Sequence, residues 1–219
     1  MKRLRKFLSL TSDKCYLLAR IVFSYCSLWF LWILASVLSG SLRHFFPLTG
    51  LFLLTGPALG FFQWLVLRCY VWHLGWWVMA SISGWSIAFF ITYPFEVGSK
   101  IAATVPKGEL IVAGVPVNMQ VFWSYVLVAL LASTVIGVFQ WLVMRRHIQH
   151  SSWWILASSI GGALRGATIA VIQSVGGAAL GAVVGWLGYG AVTGIVLVWL
   201  LQDHIKYRLE YGMYPSSTF

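Results

Sequence analysis

The chain has 219 residues, of which 60% are hydrophobic and only 9% are charged, and its mean hydropathy is +0.84. One soluble domain of this size cannot bury that much apolar surface, so lipid must be the solvent for much of the chain. The formal net charge of +10 does not indicate nucleic-acid binding, because the basic residues lie at the ends of apolar segments and form no single patch. Composition therefore predicts an all-α integral membrane protein surrounded by membrane lipids.

The apolar segments are long enough to cross a bilayer as helices. Crossing about 30 Å of hydrocarbon takes roughly 20 helical residues. No small-residue cleavage site follows the first segment, so we expect it to be retained as a helix. The six predicted transmembrane helices form a single domain over 1–219, with an outer loop at 95–119 and spans at 17–39, 48–67, 76–94, 120–144, 153–173 and 177–201.

The Lys and Arg residues set the predicted orientation. Eleven of them lie in the segments assigned to the inner side, whereas the outer loops hold Arg43, Lys100 and Lys107. Cytoplasmic loops carry an excess of Lys and Arg, so both termini are predicted to face the cytoplasm. Within the outer loop, IAATV and ELIVAGV flank Pro106-Lys107-Gly108 and predict a short hairpin. An irregular connector on the membrane surface is the alternative.

The most specific feature is an internal repeat with an offset of 77 residues. The segment 60–84 aligns without gaps to 137–161, and 13 of the 25 positions are identical. Chance would give about two or three identities, so the repeat indicates a duplication. Each copy is predicted to be a descending helix, a short inner loop and a rising helix, which makes this a parallel two-helix repeat. A weaker echo at 190–194 and 198–201 predicts a third descending helix without a partner.

Several repeated residues are typical of the membrane boundary. Indole rings favour the level of the headgroups, and a guanidinium there can reach lipid phosphates. The predicted interface anchors are Trp64, Trp76, Trp77, Trp141, Trp153, Trp154, Arg68 and Arg145.

Gln63 and Gln140 are equivalent residues of the repeat, about one turn inside the hydrocarbon. A carboxamide at that depth needs a hydrogen-bond partner. We expect a hydrogen bond between the two copies, and contact with a ligand or pigment is the alternative.

The segment 161–194 contains ten glycines. Small residues spaced by four form a flat stripe on which another helix packs closely. That second helix belongs either to this chain or to a partner protein. The predicted helix-packing residues are Gly162, Gly166, Gly177, Gly181, Gly185, Gly190 and Gly194.

Arg165 is predicted to lie inside a transmembrane helix. It follows Trp153 by 12 residues, which places it roughly 18 Å into the bilayer. An arginine near the bilayer centre costs about 2.5 to 3.5 kcal/mol on insertion scales. Its candidate partners are Glu96, Glu109, helix carbonyls, or an anionic lipid or cofactor, so a structural ion pair and a functional site both remain open.

The sequence lacks the residues of a membrane enzyme or a metal site. All five acidic residues lie at helix ends or in loops, and no catalytic motif is present. His147 and His150 form an HxxH pattern, and His73 is the repeat equivalent of His150. Without a nearby carboxylate or cysteine they are expected to be hydrated at the interface rather than bound to a metal. Contact with a lipid headgroup or with chlorophyll magnesium stays open.

Over about 57–202, the chain resembles a group of uncharacterised multi-pass membrane proteins of cyanobacterial type. The resemblance is carried by GxxQWLVLR, a short basic loop, WWxxAS…G and a glycine-rich final hairpin. It implies a photosynthetic bacterium and a thylakoid or plasma membrane, and it implies no activity or site residue. The first helix and the 95–119 loop depart from the pattern.

These features favour a non-enzymatic scaffold, an accessory or assembly subunit that packs against another membrane protein or itself. Its expected contacts are lipids, with chlorophyll or carotenoid as the pigments considered. The alternative is a small-solute transporter or channel built on the repeat, with Gln63, Gln140 and Arg165 lining a path. A membrane sensor is a third hypothesis.

Overall fold

The computed structural model describes residues 2–45, 51–71, 74–94 and 96–211. Within these ranges, side chains are described over 19–40, 55–71, 74–94, 96–207 and at 209. The described chain is mostly helical and contains one short β-hairpin. In chain order the elements are α1 (Lys2–Phe45), α2 (Leu51–Leu67), α3 (Trp77–Thr92), α4 (Val97–Thr104), β1 (Glu109–Val112), β2 (Val115–Asn118), α5 (Met119–Met144), α6 (Trp153–Ser174) and α7 (Ala178–Tyr211).

Four of the helices are long and apolar enough to cross a membrane. The apolar stretches are Ala19–Gly40, Met119–Met144, Trp153–Ser174 and Ala178–Tyr207. Helices α3 and α4, bent by 51° at the break between them, could together supply a fifth. The all-α membrane character is thus supported by four helices, against the six spans predicted.

The second and third predicted spans are where the two counts differ. Helix α2 has 17 residues and α3 has 16, so each rises about 24 to 26 Å against about 30 Å of hydrocarbon. The predicted window 76–94 includes Trp76, Tyr93 and Pro94, which lie beyond the ends of α3. The first three residues of the window 48–67 lie outside the described residues, and its described part is α2.

Six helices pack as a closed ring, in which each helix contacts the next one. Helix α1 contacts α2, α2 contacts α3, α3 contacts α5, α5 contacts α6, α6 contacts α7, and α7 returns to α1. Each of these six helices therefore has two neighbours and one face toward a shared interior. Helices α1 and α7 run antiparallel, since Tyr25 Oη donates to Gln202 O while Trp32 Nε1 donates to Thr193 Oγ1.

The 95–119 segment contains α4 and the β-hairpin. Strand β1 pairs antiparallel with β2, and the pair Val112 and Val115 closes a two-residue turn. Ala113 and Gly114 have φ of 50° and 81°, the positive values that tight hairpin turns of this kind require. The predicted turn at Pro106-Lys107-Gly108 is wrong, because the residues before it belong to α4 rather than to a strand.

The glycines of the stripe face other helices of the same chain. A Cβ built on Gly162 or Gly166 would collide with α5, one on Gly181 or Gly185 would touch α6, and one on Gly190 or Gly194 would press on α1. Gly177 lies against Ile172 at the turn between α6 and α7. The predicted close packing is therefore intramolecular.

We predict that Gly190→Ala destabilises the bundle and that Gly188→Ala on the same helix does not. A Cβ at Gly190 would lie 2.9 Å from Ile33 Cα, whereas one at Gly188 would lie 3.3 Å from the flexible end of Leu164. Overpacking against backbone costs about 1 to 3 kcal/mol, and alanine favours a helix over glycine by about 1 kcal/mol. Thermal unfolding in detergent measures the difference, and equal midpoints for the two variants would contradict it.

Candidate functional site

Three tryptophans from different helices pack against one another inside the bundle. Trp32 of α1, Trp77 of α3 and Trp154 of α6 are all fully buried. Their ring centroids are 6.0 Å apart for Trp32 and Trp77, 5.5 Å for Trp32 and Trp154, and 5.7 Å for Trp77 and Trp154, in edge-to-face geometry. Such pairs stabilise beyond their buried area. We call this cluster the tryptophan core.

Two glutamines bind the tryptophan core by hydrogen bonds. Gln140 Nε2 donates to Gln63 Oε1 at 3.3 Å, which confirms the predicted bond between the repeat copies. Trp77 Nε1 donates to Gln63 Oε1 at 3.3 Å, and Trp154 Nε1 donates to Gln140 Oε1 at 2.9 Å. Each copy therefore makes the same contact between a glutamine and the tryptophan 14 residues later.

The third tryptophan makes a similar contact with α7. Trp32 Nε1 donates to Thr193 Oγ1 at 3.0 Å, and Thr193 Oγ1 donates to Tyr189 O at 2.8 Å. Thr193 follows Gly190 by three residues, as Gln140 follows Gly137. The descending helix that was predicted to lack a partner has one in α1, at the other end of the chain.

Sequence reasoning missed Trp32, although a signal was present. Residues 32–36 read WILAS, and residues 154–158 read the same. In the repeat at 60–84 and 137–161 a helix is followed by its partner, whereas α1 precedes α7 by most of the chain. The shared WILAS segment indicates this pairing only when the repeat is read in circular order.

The repeated Trp pairs divide into a lipid-facing and a buried member. Trp76 and Trp153 are 71% and 52% exposed, which suits anchoring at a membrane boundary. Trp77 and Trp154 are buried in the tryptophan core, so the prediction that they are interface anchors is wrong. Successive helical residues point about 100° apart, so the two members of each pair lie on different sides of the helix.

Two arginines lie over neighbouring tryptophans at the C-terminal ends of α2 and α5. The guanidinium carbon of Arg68 lies 5.3 Å from the Trp64 ring centroid, and that of Arg145 lies 5.2 Å from the Trp141 ring. Both arginines are exposed. This repeated geometry is compatible with the predicted anchoring role.

The described histidines form no metal site. His150 is exposed, and its ring lies 6.3 Å from that of Trp199. His73 lies outside the described residues. Within the part of the chain that is described, no group of three or more His, Cys, Asp or Glu could hold a metal ion.

A cavity of about 330 Å³ lies inside the ring of helices, on the α4 side of the tryptophan core. We call it the Arg165 cavity. Arg165 is 9% exposed, and its guanidinium carbon lies 4.3 Å from the Trp186 ring centroid and 6.0 Å from that of Tyr189. Glu96 and Glu109, its predicted partners, are exposed and do not line this cavity. Its wall draws on all six helices of the ring and on α4, and includes Gly40, Thr55, Trp85, Phe89, Gly98, Ser124, Val128, Ile169 and Trp186.

We predict a measurable coupling between Gln63 and Gln140. Replacing each by Leu, singly and together, removes their shared hydrogen bond, and interhelical bonds in membranes contribute about 0.6 kcal/mol and up to about 2. Unfolding in mixed micelles gives the four stabilities of the double-mutant cycle. Strictly additive effects would contradict direct coupling.

We also predict that Trp77→Ala is far more destabilising than Trp76→Ala. Truncating a buried tryptophan costs about 3 to 5 kcal/mol, while the exposed neighbour loses mainly lipid contact. The same detergent unfolding assay compares these adjacent residues, with Trp76→Ala as the control. Similar losses for both would place the two rings in similar surroundings, contrary to the structure.

The chain was compared with known proteins, and neither a protein-family model, nor a curated protein, nor a solved structure matches it.

Proposed function

We propose that the protein is a non-enzymatic membrane scaffold, an accessory or assembly subunit that packs against another membrane protein or a second copy of itself. The observation that carries this proposal is the internal use of the central polar groups. Gln63 and Gln140 are fully buried and hydrogen-bonded to each other and to the tryptophan core. Side chains that are buried and bonded to one another in this way do not line an open path.

The proposed topology has six membrane spans with both termini in the cytoplasm. Four helices already meet the length and hydropathy of a span, and α2 and α3 complete the closed order of packing. The antiparallel contact of α1 with α7 is in accord with an even number of crossings. The Lys and Arg bias supports the cytoplasmic side for both ends.

A partner would have to bind the outside of the bundle. The glycine stripe packs against α1, α5 and α6 of the same chain, which leaves the large exposed apolar side chains for lipid or protein contact. Among the most exposed are Phe23, Phe30, Phe90 and Ile195. The proposed setting, a thylakoid or plasma membrane of a photosynthetic bacterium with possible contact to chlorophyll or carotenoid, rests on the sequence resemblance alone.

A small-solute transporter is the second candidate, and the Arg165 cavity is the observation that favours it. The cavity lies at the centre of six helices, where a solute path would begin. Transport would require the tryptophan core to separate, with loss of its buried hydrogen bonds.

Purification of the tagged chain in mild detergent tests the scaffold proposal. We expect a second membrane protein, or a second copy of the chain, to co-elute with it and to be lost in harsh detergent. An untagged culture is the control for nonspecific capture. Absorbance of the eluate reports bound pigment.

Reconstitution into liposomes tests the alternative function, transport of a small solute. A colourless, monomeric protein that conducts a solute would contradict the scaffold proposal and support transport. In that case Trp154→Ala, which removes part of the tryptophan core, should alter the flux.

A further inference from the structure

The Arg165 cavity has the size of a ligand site. Its volume of about 330 Å³ falls within the range of about 300 to 1,000 Å³ typical of small-molecule pockets. The cavity is partly open, and its wall combines one buried cation with aromatic and aliphatic side chains.

The charge in this cavity is permanent and positive. An arginine stays protonated at any physiological pH. None of the described residues that line the cavity is acidic. In surroundings of low dielectric constant, an anion that enters gains more from the guanidinium than it would in water.

The packing around Arg165 orients its guanidinium. Trp186 stacks on the group at 4.3 Å, and the stem of the side chain rests on α7, where a Cβ at Gly185 would lie 3.1 Å from Arg165 Cγ. The guanidinium is planar and carries several N–H donors, which can bind a carboxylate or a phosphate in a bidentate manner.

The rest of the wall suits hydrocarbon better than a hydrated ion. Trp85, Phe89 and Ile169 contribute apolar surface. Two hydroxyls that line the cavity are already used within the helices, since Thr92 Oγ1 donates to Ala88 O at 2.7 Å and Ser124 Oγ donates to Gln120 O at 2.7 Å. An inorganic anion would lose its water here, and neither of these hydroxyls is free to donate to it.

We propose that the Arg165 cavity binds the anionic head group of a membrane amphiphile, a carboxylate or a phosphate, while part of its hydrocarbon tail lies against Phe89 and Ile169. The guanidinium recognises the charge, and the aromatic wall recognises the tail. This site is independent of the scaffold proposal, because it concerns a small ligand inside the bundle and no protein partner.

Thermal unfolding of the delipidated full chain in neutral detergent tests the proposal. The probes are phosphatidylglycerol, oleate, phosphatidylcholine and inorganic phosphate. We expect a rise of several degrees with an anionic amphiphile and no comparable rise with phosphatidylcholine or with phosphate. A response to phosphatidylglycerol alone identifies a phospholipid, and a response to oleate alone identifies a free fatty acid.

Variants separate the cavity from general surface charge. Arg165→Gln should weaken binding of the anionic amphiphile at least about tenfold, equivalent to about 1.4 kcal/mol, and Arg165→Lys should fall between it and the original chain. Arg146→Gln removes an exposed arginine that neither lines the cavity nor belongs to the predicted anchors, and as the matched control it is expected to leave binding unchanged. Equal losses for Arg165→Gln and Arg146→Gln would overturn the proposal.

A second variant keeps the test valid if Arg165→Gln fails to fold. Val128→Phe narrows the cavity from the α5 side without touching the charge, and it should reduce the protection given by the anionic amphiphile. Full protection of a folded Val128→Phe variant would overturn the proposal, as would equal protection of the original chain by phosphatidylcholine.

Discussion

The hydrogen bonds between the two glutamines and the tryptophan core are the interaction on which the rest of the bundle depends. Inside a membrane no water is available to satisfy a carboxamide or an indole N–H, so each must find a protein partner. Gln63 Oε1 accepts hydrogen bonds from Gln140 and Trp77, and Gln140 Oε1 accepts one from Trp154. These bonds favour one rotation of α2, α3, α5 and α6 about their axes.

Close packing of backbones then determines what space remains. Glycines allow α6 to lie on α5 and α7 to lie on α1 and α6 at short distance. The tryptophan core fills one end of the shared interior, while the other end keeps the Arg165 cavity. The same architecture thus combines a densely packed end with a partly open end whose lining includes one charged side chain, Arg165.

Sequence reasoning could anticipate the local features more reliably than the global ones. The Gln63–Gln140 bond followed from the repeat, and the helix-packing glycines followed from their spacing. The length of α3 could not be read from hydropathy, because the aromatic residues Trp76 and Tyr93 lie just past its ends. The inward rotation of Trp77 and Trp154, and the pairing of α1 with α7, depend on contacts between segments far apart in the chain.

The pairing of the first helix with the last has a consequence for biogenesis. Trp32 and Thr193 are separated by 161 residues, which a ribosome adds in roughly 10 to 30 s at about 5 to 20 residues per second. During that interval α1 is already synthesised while its hydrogen-bonding neighbour does not yet exist. The nascent first helix must wait at the insertion machinery or in lipid, and the ring closes only after α7 has been synthesised.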